Sequence, residues 1–364
     1  MKVLLVCPAG FKTGKTGDAT QARETIAALG ARNHKVRVLY VQSYVTLVFE
    51  DSNGKQVRSD DIKALIQWCE VIHLLPCNPQ ICRFWRQFPH RPMLGSSIFW
   101  AGWERVIIAG RVIRPLRSRL HRMIRYLLQE LGLRLDYRGV DVFLPNTRAE
   151  GECVMGHFKT SRGARFFPVP TGFVVPPFPL EELPRPNDVP EEDYMVVPGV
   201  FAWRKNQLGL IRALRDFPHP VVFMGDALDS EAEGPFLEDC KRAASQNMRF
   251  IGYKPSSSEE YWAVLRYARC ACLASDCETP GISLLEAAYA GARPVVTKFG
   301  GTLEYYGFDG EYFNPCKQNE ITAAVARGWK RGRLNAAQAA SYRRFSWRYC
   351  AENTIQAYRS ALTM

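Results

Sequence analysis

Short apolar runs alternate with amphipathic stretches through the first half of the chain. The apolar runs predict β-strands over residues 3–7, 35–41, 70–75, 92–100 and 140–145. Between them, apolar residues recur every three to four positions over residues 20–29 and 62–68, which predicts helices. Strands that alternate with helical segments are typical of βαβ units and a parallel sheet. The pattern therefore predicts an α/β fold.

Prolines interrupt this pattern between Pro168 and Pro190. Because proline fixes φ and has no N–H to donate, regular structure is disfavoured there, and we expect a linker at residues 176–192. A second alternating pattern follows, with strands predicted over residues 195–198, 220–224, 248–251, 270–274 and 293–297. The chain is thus predicted to form two facing Rossmann-like domains, residues 1–175 and 193–344. Ligands of such domains bind at the carboxyl ends of the strands.

The composition is that of a globular protein, because 47% of the 364 residues are hydrophobic and 23% are charged. No apolar run approaches the ~18–20 residues that a transmembrane helix needs. The N-terminal run is too short for a secretory signal, so we expect a cytoplasmic protein. The eleven cysteines are odd in number and scattered. Neither the pair Cys77 and Cys82 nor the group near Cys272 has zinc-site spacing, which predicts reduced, buried thiols and no metal site.

The chain is basic, with 48 lysines and arginines against 36 aspartates and glutamates and a net charge of +12. Such a balance suits anionic partners: nucleotides, phosphates, membrane surfaces or nucleic acid. We expect no nucleic-acid partner, because the sequence lacks a basic motif interleaved with aromatic residues.

One loop motif admits two interpretations. The stretch from Ala9 to Thr16, AGFKTGKT, fits a relaxed P-loop pattern with a predicted strand before it and a helix after it. One interpretation is an ATP-binding protein, an ATPase or kinase, whose Lys15 would contact phosphates. The other is a flexible loop at the mouth of a Rossmann-like domain, which precedes a helix N-terminus and can also face a phosphate.

The most informative stretch is SDCETPGISLLEA, residues 275–287. It follows a predicted strand and opens a helix near Pro280, since proline suits the first helical turn. Free N–H groups of Gly281, Ile282 and Ser283 would then form an anion site suited to a diphosphate. Glu278 before the helix and Glu286 in its second turn could each accept hydrogen bonds from two sugar hydroxyls. Alone, the stretch also fits an ordinary strand–loop–helix.

These residues resemble the retaining glycosyltransferases of family 4, whose two-domain fold is called GT-B. The hallmark E-x7-E element is matched by Glu278 and Glu286. Further similar segments are AAYAGARPVV (287–296), GGTLE (300–304), PGVFAWRKNQ (198–207), FIGY (250–253), VFLPNT (142–147) and VPTG (169–172). The resemblance also implies that residues 345–364, with FSW at their start and Tyr358, form a closing helix that crosses back to the first domain.

The resemblance implies roles for individual residues. Lys205 matches the cation that neutralises the donor diphosphate, Glu286 the carboxylate that binds the ribose, and Glu278 the carboxylate near the reacting sugar. Backbone groups of Gly281, Ile282 and Ser283 contact the donor, and the loop with Gly252 and Tyr253 flanks the nucleobase. In the first domain, Gly14, Gly17 and Asp18 occupy the phosphate or acceptor loop.

The chain departs from the family at three places. The arginine expected after the glycine of the first strand is Val200, and Arg204 beside Lys205 is its candidate replacement. Only Gly17 remains of the usual double glycine of the N-terminal loop. The stretch GSSIFW, residues 95–100, lacks the histidine that many relatives carry there. His73, predicted at a strand end, would either reach the cleft or be a core histidine whose ring is bonded to the backbone.

The resemblance implies hexose transfer from a nucleotide diphosphate sugar, with retention at the anomeric carbon and without a metal or other cofactor. A UDP-sugar is the favoured donor and a GDP-sugar the next. The acceptor implied is a saccharide or a lipid-linked saccharide in cell-surface glycan assembly.

An arginine-rich segment runs from Arg105 to Arg138. Nine arginines are opposed there by only Glu130 and Asp136, and from Leu116 onward apolar residues recur at helical spacing. One interpretation is a solvated basic face over a core-facing stripe. The other is a patch that binds an anionic membrane surface, which would place the protein on the inner face of the membrane.

Overall fold

The computed structural model describes residues 1–12, 17–43, 46–97, 136–227 and 234–363. They form two compact units. The first contains the described residues up to Gly172 together with those from Phe345 onward, and the second runs from Phe173 to Arg344. The C-terminal residues thus belong to the first unit, although they follow the second in sequence.

A largely parallel sheet of seven strands forms the first unit. In chain order the strands are β1 (Lys2–Pro8), β2 (Lys35–Ser43), β3 (Val48–Glu50), β4 (Val71–Leu74), β5 (Met93–Ser97), β6 (Val142–Pro145) and β7 (Arg165–Phe166). Their spatial order is β3-β2-β1-β4-β5-β6-β7, and only β3 is antiparallel to its neighbour. In register, Val3 of β1 lies opposite Val36 of β2 and Val71 of β4.

Five described helices accompany this sheet: α1 (Gly17–Gly30), α2 (Ser59–Trp68), α3 (Pro79–Trp85), α4 (Arg148–His157) and the C-terminal helix (Trp347–Leu362). The start of α3 follows from its sequence, since the Asn78 side chain accepts from the Gln80 N–H at 2.8 Å and Pro79 needs no partner. Thr147 caps α4 in the same way through the Glu150 N–H.

The second unit has six parallel strands, the first of which follows the proline-rich segment. They are β8 (Met195–Pro198), β9 (Val221–Met224), β10 (Met248–Phe250), β11 (Cys270–Leu273), β12 (Arg293–Thr297) and β13 (Glu311–Phe313). Their order, β10-β9-β8-β11-β12-β13, is the doubly wound Rossmann order. Because helices cover both faces, β8, β9 and β11 are buried along their whole lengths and read as continuous apolar runs.

Seven helices are described in this unit: α5 (Gln207–Ala213), α6 (Gly234–Ala243), α7 (Glu259–Tyr267), α8 (Ile282–Tyr289), α9 (Thr302–Tyr306), α10 (Gln318–Arg331) and α11 (Ala336–Ser341). In the part of the chain that the structure covers, no helix is long and apolar enough to cross a membrane. The proline-rich segment contains one short 3-10 turn, Leu180–Glu182.

The predicted α/β class with two parallel sheets is confirmed. For β8 and β12, the predicted first and last residues agree with those in the structure. The sequence pattern missed β3, α3, β7 and β13, because runs of two to seven residues carry too little periodicity. Residues 98–100 of a predicted strand lie outside the described residues, as does the arginine-rich segment up to residue 135.

His73 lies inside β4 and is 1% exposed, so the idea that it reaches a cleft is wrong. Its Nδ1 is 2.8 Å from the Tyr358 hydroxyl on the C-terminal helix, and its Nε2 is 2.8 Å from the Ser96 hydroxyl on β5. The ring is thus bonded to two hydroxyl groups rather than to the backbone. Burial lowers the pKa of His73 to about 3, so the ring is neutral.

A pH-dependent stability follows from this neutral histidine. The unfolded chain binds a proton at His73 below its ordinary pKa of 6.5, whereas the folded chain does not. Stability should therefore fall by about 1.4 kcal/mol per pH unit from about pH 6.5 downward. Urea unfolding of the wild type, His73→Gln and the exposed-site control His157→Gln measures this. Only His73→Gln should show a shallower pH slope, and identical slopes in all three would contradict the assignment.

Candidate functional site

The candidate site lies where the strand order of the second sheet reverses, between β8 and β11. Loops that leave neighbouring strands in opposite directions open a crevice at such a point. Hydrogen bonds join the loops here: the Asp276 N–H donates to the Arg204 carbonyl at 2.9 Å, and the Asn206 Nδ2 donates to the Ala274 carbonyl at 3.1 Å. The residues on both loops are therefore held at defined positions.

A buried ion pair crosses this crevice. The 3-10 turn Trp203–Lys205 directs Lys205 to Glu278, and the side chains are 13% and 7% exposed. Ser275 also donates to the Glu278 Oε1 at 2.5 Å. Burial opposes the negative charge of Glu278, but Lys205, nearby Arg204 and the hydrogen bonds outweigh it and hold the pKa of the carboxyl below its usual value. Glu278 is therefore ionised at neutral pH.

Backbone contacts with the loop after β12 hold the backbone of Glu278. Its N–H donates to the Phe299 carbonyl at 3.1 Å, and its carbonyl accepts from the Gly301 N–H at 2.9 Å. Gly300, with φ +100°, lies so close that a Cβ there would overlap the Glu278 carbonyl oxygen. Glycine at position 300 is thus required by the close approach of two loops.

The helix that follows, α8, begins at Ile282. The expectation that Pro280 occupies its first turn is wrong, because Gly281 is the N-cap, with φ +84°. A Cβ on Gly281 would lie 2.6 Å from Leu273, so glycine is required for both conformation and space. The first-turn N–H groups are those of Ile282 and Ser283, which as the start of a helix have no carbonyl one turn earlier. The Ser283 hydroxyl donates to the Pro198 carbonyl at 3.1 Å, which places this helix end beside the end of β8.

Glu286 lies in the second turn of α8, as predicted, and is 5% exposed. The Tyr261 hydroxyl, from α7, donates to its Oε2. Burial raises the pKa of Glu286 to about 7, although the bond from Tyr261 acts in the opposite direction. The carboxyl group therefore exchanges a proton near neutral pH.

The loop after β10 carries the other predicted donor residues. Gly252 has φ +71°, and its carbonyl accepts from the Gly225 N–H at 2.8 Å. The Tyr253 N–H donates to the Asp226 Oδ2 at 3.3 Å, while the Tyr253 side chain is 55% exposed. Tyr253 also lies near Tyr261, so this loop adjoins the surroundings of Glu286.

Arg204 is exposed and lies near enough to Glu278 to lower its pKa. The Gln207 Nε2 donates to the Val200 carbonyl at 2.8 Å.

Three residues of the site were not identified from the sequence: Tyr261, Ser275 and Tyr306. The Tyr306 hydroxyl donates to the Pro280 carbonyl at 3.1 Å. Tyr261 lies on the buried face of α7 together with Val264 and Leu265, so its spacing resembles that of a core residue.

The predicted loop of the first unit is only partly described. Gly14 and Lys15 lie outside the described residues, whereas Gly17 begins α1 and Asp18 follows within it. Ala9–Phe11 forms a 3-10 turn, and Lys12 is paired with Glu50 and lies 4.5 Å from the centre of the Tyr40 ring. Of the stretch without the expected histidine, Gly95 to Ser97 complete β5.

Comparisons with known proteins agree with this architecture. Residues 181–342 match the family model described as "Glycosyl transferases group 1". No curated protein matches the sequence closely enough to be identified as a relative. Among solved structures, a sucrose-phosphate synthase from Thermosynechococcus elongatus is 16% identical with a TM-score of 0.68, and the match covers 100% of this chain and 99% of that one.

Two further structures share the fold over nearly their whole lengths. Anabaena HepE, solved in complex with UDP and glucose, is 14% identical with a TM-score of 0.62, covering 99% of this chain and 100% of that one. A lipopolysaccharide outer core galactosyltransferase in its apo form is 12% identical with a TM-score of 0.63, covering 99% of each chain. At these identities the likeness establishes the GT-B fold.

The buried ion pair allows a stability prediction. Lys205→Met should destabilise the protein by roughly 3–5 kcal/mol, because it leaves the Glu278 carboxylate buried without its cation. The double variant Lys205→Met/Glu278→Gln should lose less than the sum of the two single variants. Urea unfolding at neutral pH checks both, with Lys241→Met, which removes an exposed pair with Glu238, as the control that changes stability little. Additive losses would contradict a direct ion pair.

Proposed function

Residues 181–342 match the glycosyl transferases group 1, and we propose that this chain is a retaining enzyme that moves a hexose from a nucleotide diphosphate sugar to an acceptor hydroxyl. The observation that carries the proposal is the convergence of Lys205, Glu278 and the N-terminus of α8 at the switch point of the second sheet. Glu286 follows one turn into the same helix.

We place the diphosphate of the donor at the N-terminus of α8. The N–H groups of Ile282 and Ser283 and the helix dipole favour an anion there. Lys205 and exposed Arg204 supply full positive charges on the adjoining loop. When the bond to the sugar breaks, negative charge develops on the leaving diphosphate, and groups already oriented toward it stabilise that charge without reorganising.

The ribose and the base would extend from the diphosphate toward α7. Glu286, ionised, can accept hydrogen bonds from both ribose hydroxyls, and Tyr261 orients its carboxylate. Tyr253, half exposed on the loop after β10, offers a ring face to the nucleobase. UDP is the favoured nucleotide and GDP the next. A fold relative solved with UDP and glucose, HepE, supports the first choice.

The hexose would lie near Glu278, on the opposite side of the diphosphate from the ribose. In the structure Lys205 is paired with Glu278. A bound diphosphate competes for Lys205, since two phosphate groups carry more negative charge than one carboxylate. We therefore propose that donor binding draws Lys205 away and leaves the Glu278 carboxylate to accept hydrogen bonds from sugar hydroxyls.

We propose a saccharide or lipid-linked saccharide as the acceptor, in cell-surface glycan assembly, with the first unit receiving it. Support comes from the arginines between Arg105 and Arg138, which suit an anionic lipid headgroup, and from a fold relative named as a lipopolysaccharide galactosyltransferase. This acceptor would place the protein at the inner face of a membrane.

The two carboxylates should have separable effects. Glu286→Ala should weaken binding of the donor and of free UDP alike, because it removes the ribose contact. Glu278→Ala should mainly lower kcat, since its partner is the reacting sugar. Calorimetry with free UDP and GDP, together with steady-state kinetics, measures this, and equal losses of diphosphate affinity in both variants would contradict the assignment.

The ATP-binding alternative has its own test. Mg²⁺-dependent ATP binding that disappears in Lys15→Ala would favour that alternative over glycosyl transfer.

Donor binding should depend on pH through Glu286. With a pKa of about 7, its carboxyl group loses its proton as the pH rises past neutrality, so affinity for UDP should increase from about pH 6 to about pH 8. Tyr261→Phe removes a bond that lowers this pKa, and the midpoint should move to higher pH. Calorimetric titration across pH checks this. Glu286→Gln is the control, since any pH dependence of UDP binding that remains in this variant comes from the phosphate groups of UDP. If Glu286→Gln showed the same pH dependence as the wild type, the prediction would be contradicted.

Transfer should proceed without a divalent metal, because Arg204, Lys205 and the N-terminus of α8 supply the positive charge that a metal would otherwise provide. Initial rates measured with a chelator, and again after Mg²⁺ or Mn²⁺ is added back, check this. Rates that collapse with the chelator and recover with one metal would show that the charges of the protein are insufficient.

A further inference from the structure

One aromatic side chain of the second unit is almost completely exposed. Phe308 is 98% exposed, whereas the other exposed large apolar side chains of the described residues range from 41% to 56%. It lies in the 3-10 turn Gly307–Asp309, directly after α9. Leu303, at 56%, lies one helical turn earlier, and its carbonyl accepts from the Gly307 N–H. We call Leu303 and Phe308 the apolar tip.

The turn that carries Phe308 is firmly anchored. The Phe308 carbonyl accepts from Arg331 at 2.8 Å, the Gly307 carbonyl from the Tyr312 hydroxyl at 2.8 Å, and the Asp309 carbonyl from Arg293 at 3.0 Å. The Asp309 carboxylate accepts from the Gln338 side chain at 2.6 Å and from the Tyr342 hydroxyl at 3.3 Å. The polar groups of the turn thus bond to the protein while the ring projects outward, so its exposure is built into the fold.

The surroundings of the apolar tip are basic. Within the second unit, residues 321–344 hold six lysines and arginines and no aspartate or glutamate, against three acidic residues, Glu304, Asp309 and Glu311, in the stretch that carries the tip. Arg331 bonds directly to the Phe308 carbonyl, and Arg343 and Arg344 follow Tyr342, which contacts Asp309. Glu311 pairs with two arginines, Arg327 and Arg331, so its own negative charge is more than balanced. Lys330 and Arg343 are exposed.

We propose that the apolar tip and its basic surroundings form a contact site for an anionic lipid bilayer. An aromatic ring and an aliphatic side chain enter the boundary between headgroups and acyl chains, and the surrounding cations attract anionic headgroups. Leu303 favours lipid over nucleic acid, since an aliphatic chain cannot stack on a base as an aromatic ring does. A second copy of this chain is disfavoured, because it would bring like charges together. The inference is independent of the glycosyltransferase activity.

Co-sedimentation of the full chain with vesicles tests the proposal. The wild type should bind phosphatidylcholine vesicles that contain phosphatidylglycerol, and added salt should weaken this binding. Phe308→Ser should weaken it roughly five- to tenfold, since a partly buried phenylalanine contributes a portion of its full transfer free energy. Lys330→Glu/Arg343→Glu should weaken it at least as much. Val174→Ser, which removes another exposed apolar side chain, is the matched control and should bind as the wild type does.

Hydrogen exchange distinguishes this site from any other membrane contact of the chain. Amides of residues 303–310 should exchange more slowly with anionic vesicles and at an unchanged rate with phosphatidylcholine alone. Unchanged exchange there, or wild-type binding by Phe308→Ser, would overturn the proposal. Two other results would overturn it if the wild type does not bind vesicles. One is a dimer that Phe308→Ser dissociates, and the other is binding of single-stranded nucleic acid that Phe308→Ser abolishes. Glu286→Ala should bind vesicles normally, so a failed donor site and a failed membrane site give different results.

Discussion

The ion pair between Lys205 and Glu278 joins the two loops that leave the switch point of the second sheet, and the rest of the candidate site depends on it. Lys205 comes from the loop after β8 and Glu278 from the loop after β11, and both side chains are largely removed from solvent. Desolvation penalises both charges, and each charge is tolerated because the other is present. The pair therefore holds a cation and a carboxylate side by side at the end of the sheet where we propose that the donor binds.

Close backbone contacts make this pair possible. Gly281 and Gly300 adopt positive φ, and in both places a Cβ would collide with a neighbouring residue. The loop of Glu278 is thereby held against the loop after β12, and α8 begins directly beside Leu273. Tyr306 adds a hydrogen bond to the Pro280 carbonyl. The charged side chains thus depend on a rigid backbone, as they must if a shift of about 1 Å is to be avoided at a reacting centre.

The two carboxyl groups of the site differ because their environments differ. Glu278 faces two cations and a hydroxyl donor, so its pKa lies below the usual value. Glu286 is buried, and because the bond from Tyr261 does not offset that burial, its pKa rises to about 7. One group is therefore a permanent anion, and the other responds to pH in the neutral range. At the apolar tip the arrangement is the opposite of a buried charged site. Hydrogen bonds hold the polar groups of the turn in place, and the apolar side chain is exposed.

The sequence by itself determined the α/β class, the strands of both sheets other than β3, β7 and β13, and the place of Glu278 and Glu286 before and within one helix. These features are local, since an apolar run and a spacing of eight residues can be seen without knowing what packs against them. The tertiary structure alone decided that Lys205 pairs with Glu278, that Tyr261 bonds to Glu286, and that His73 is bonded to Ser96 and Tyr358. These contacts join residues 23 to 285 positions apart, and no periodicity in the chain encodes them. Short elements such as β3 and β7 escaped prediction for a related reason, because pairing with a neighbouring strand, not propensity, holds two or three residues extended.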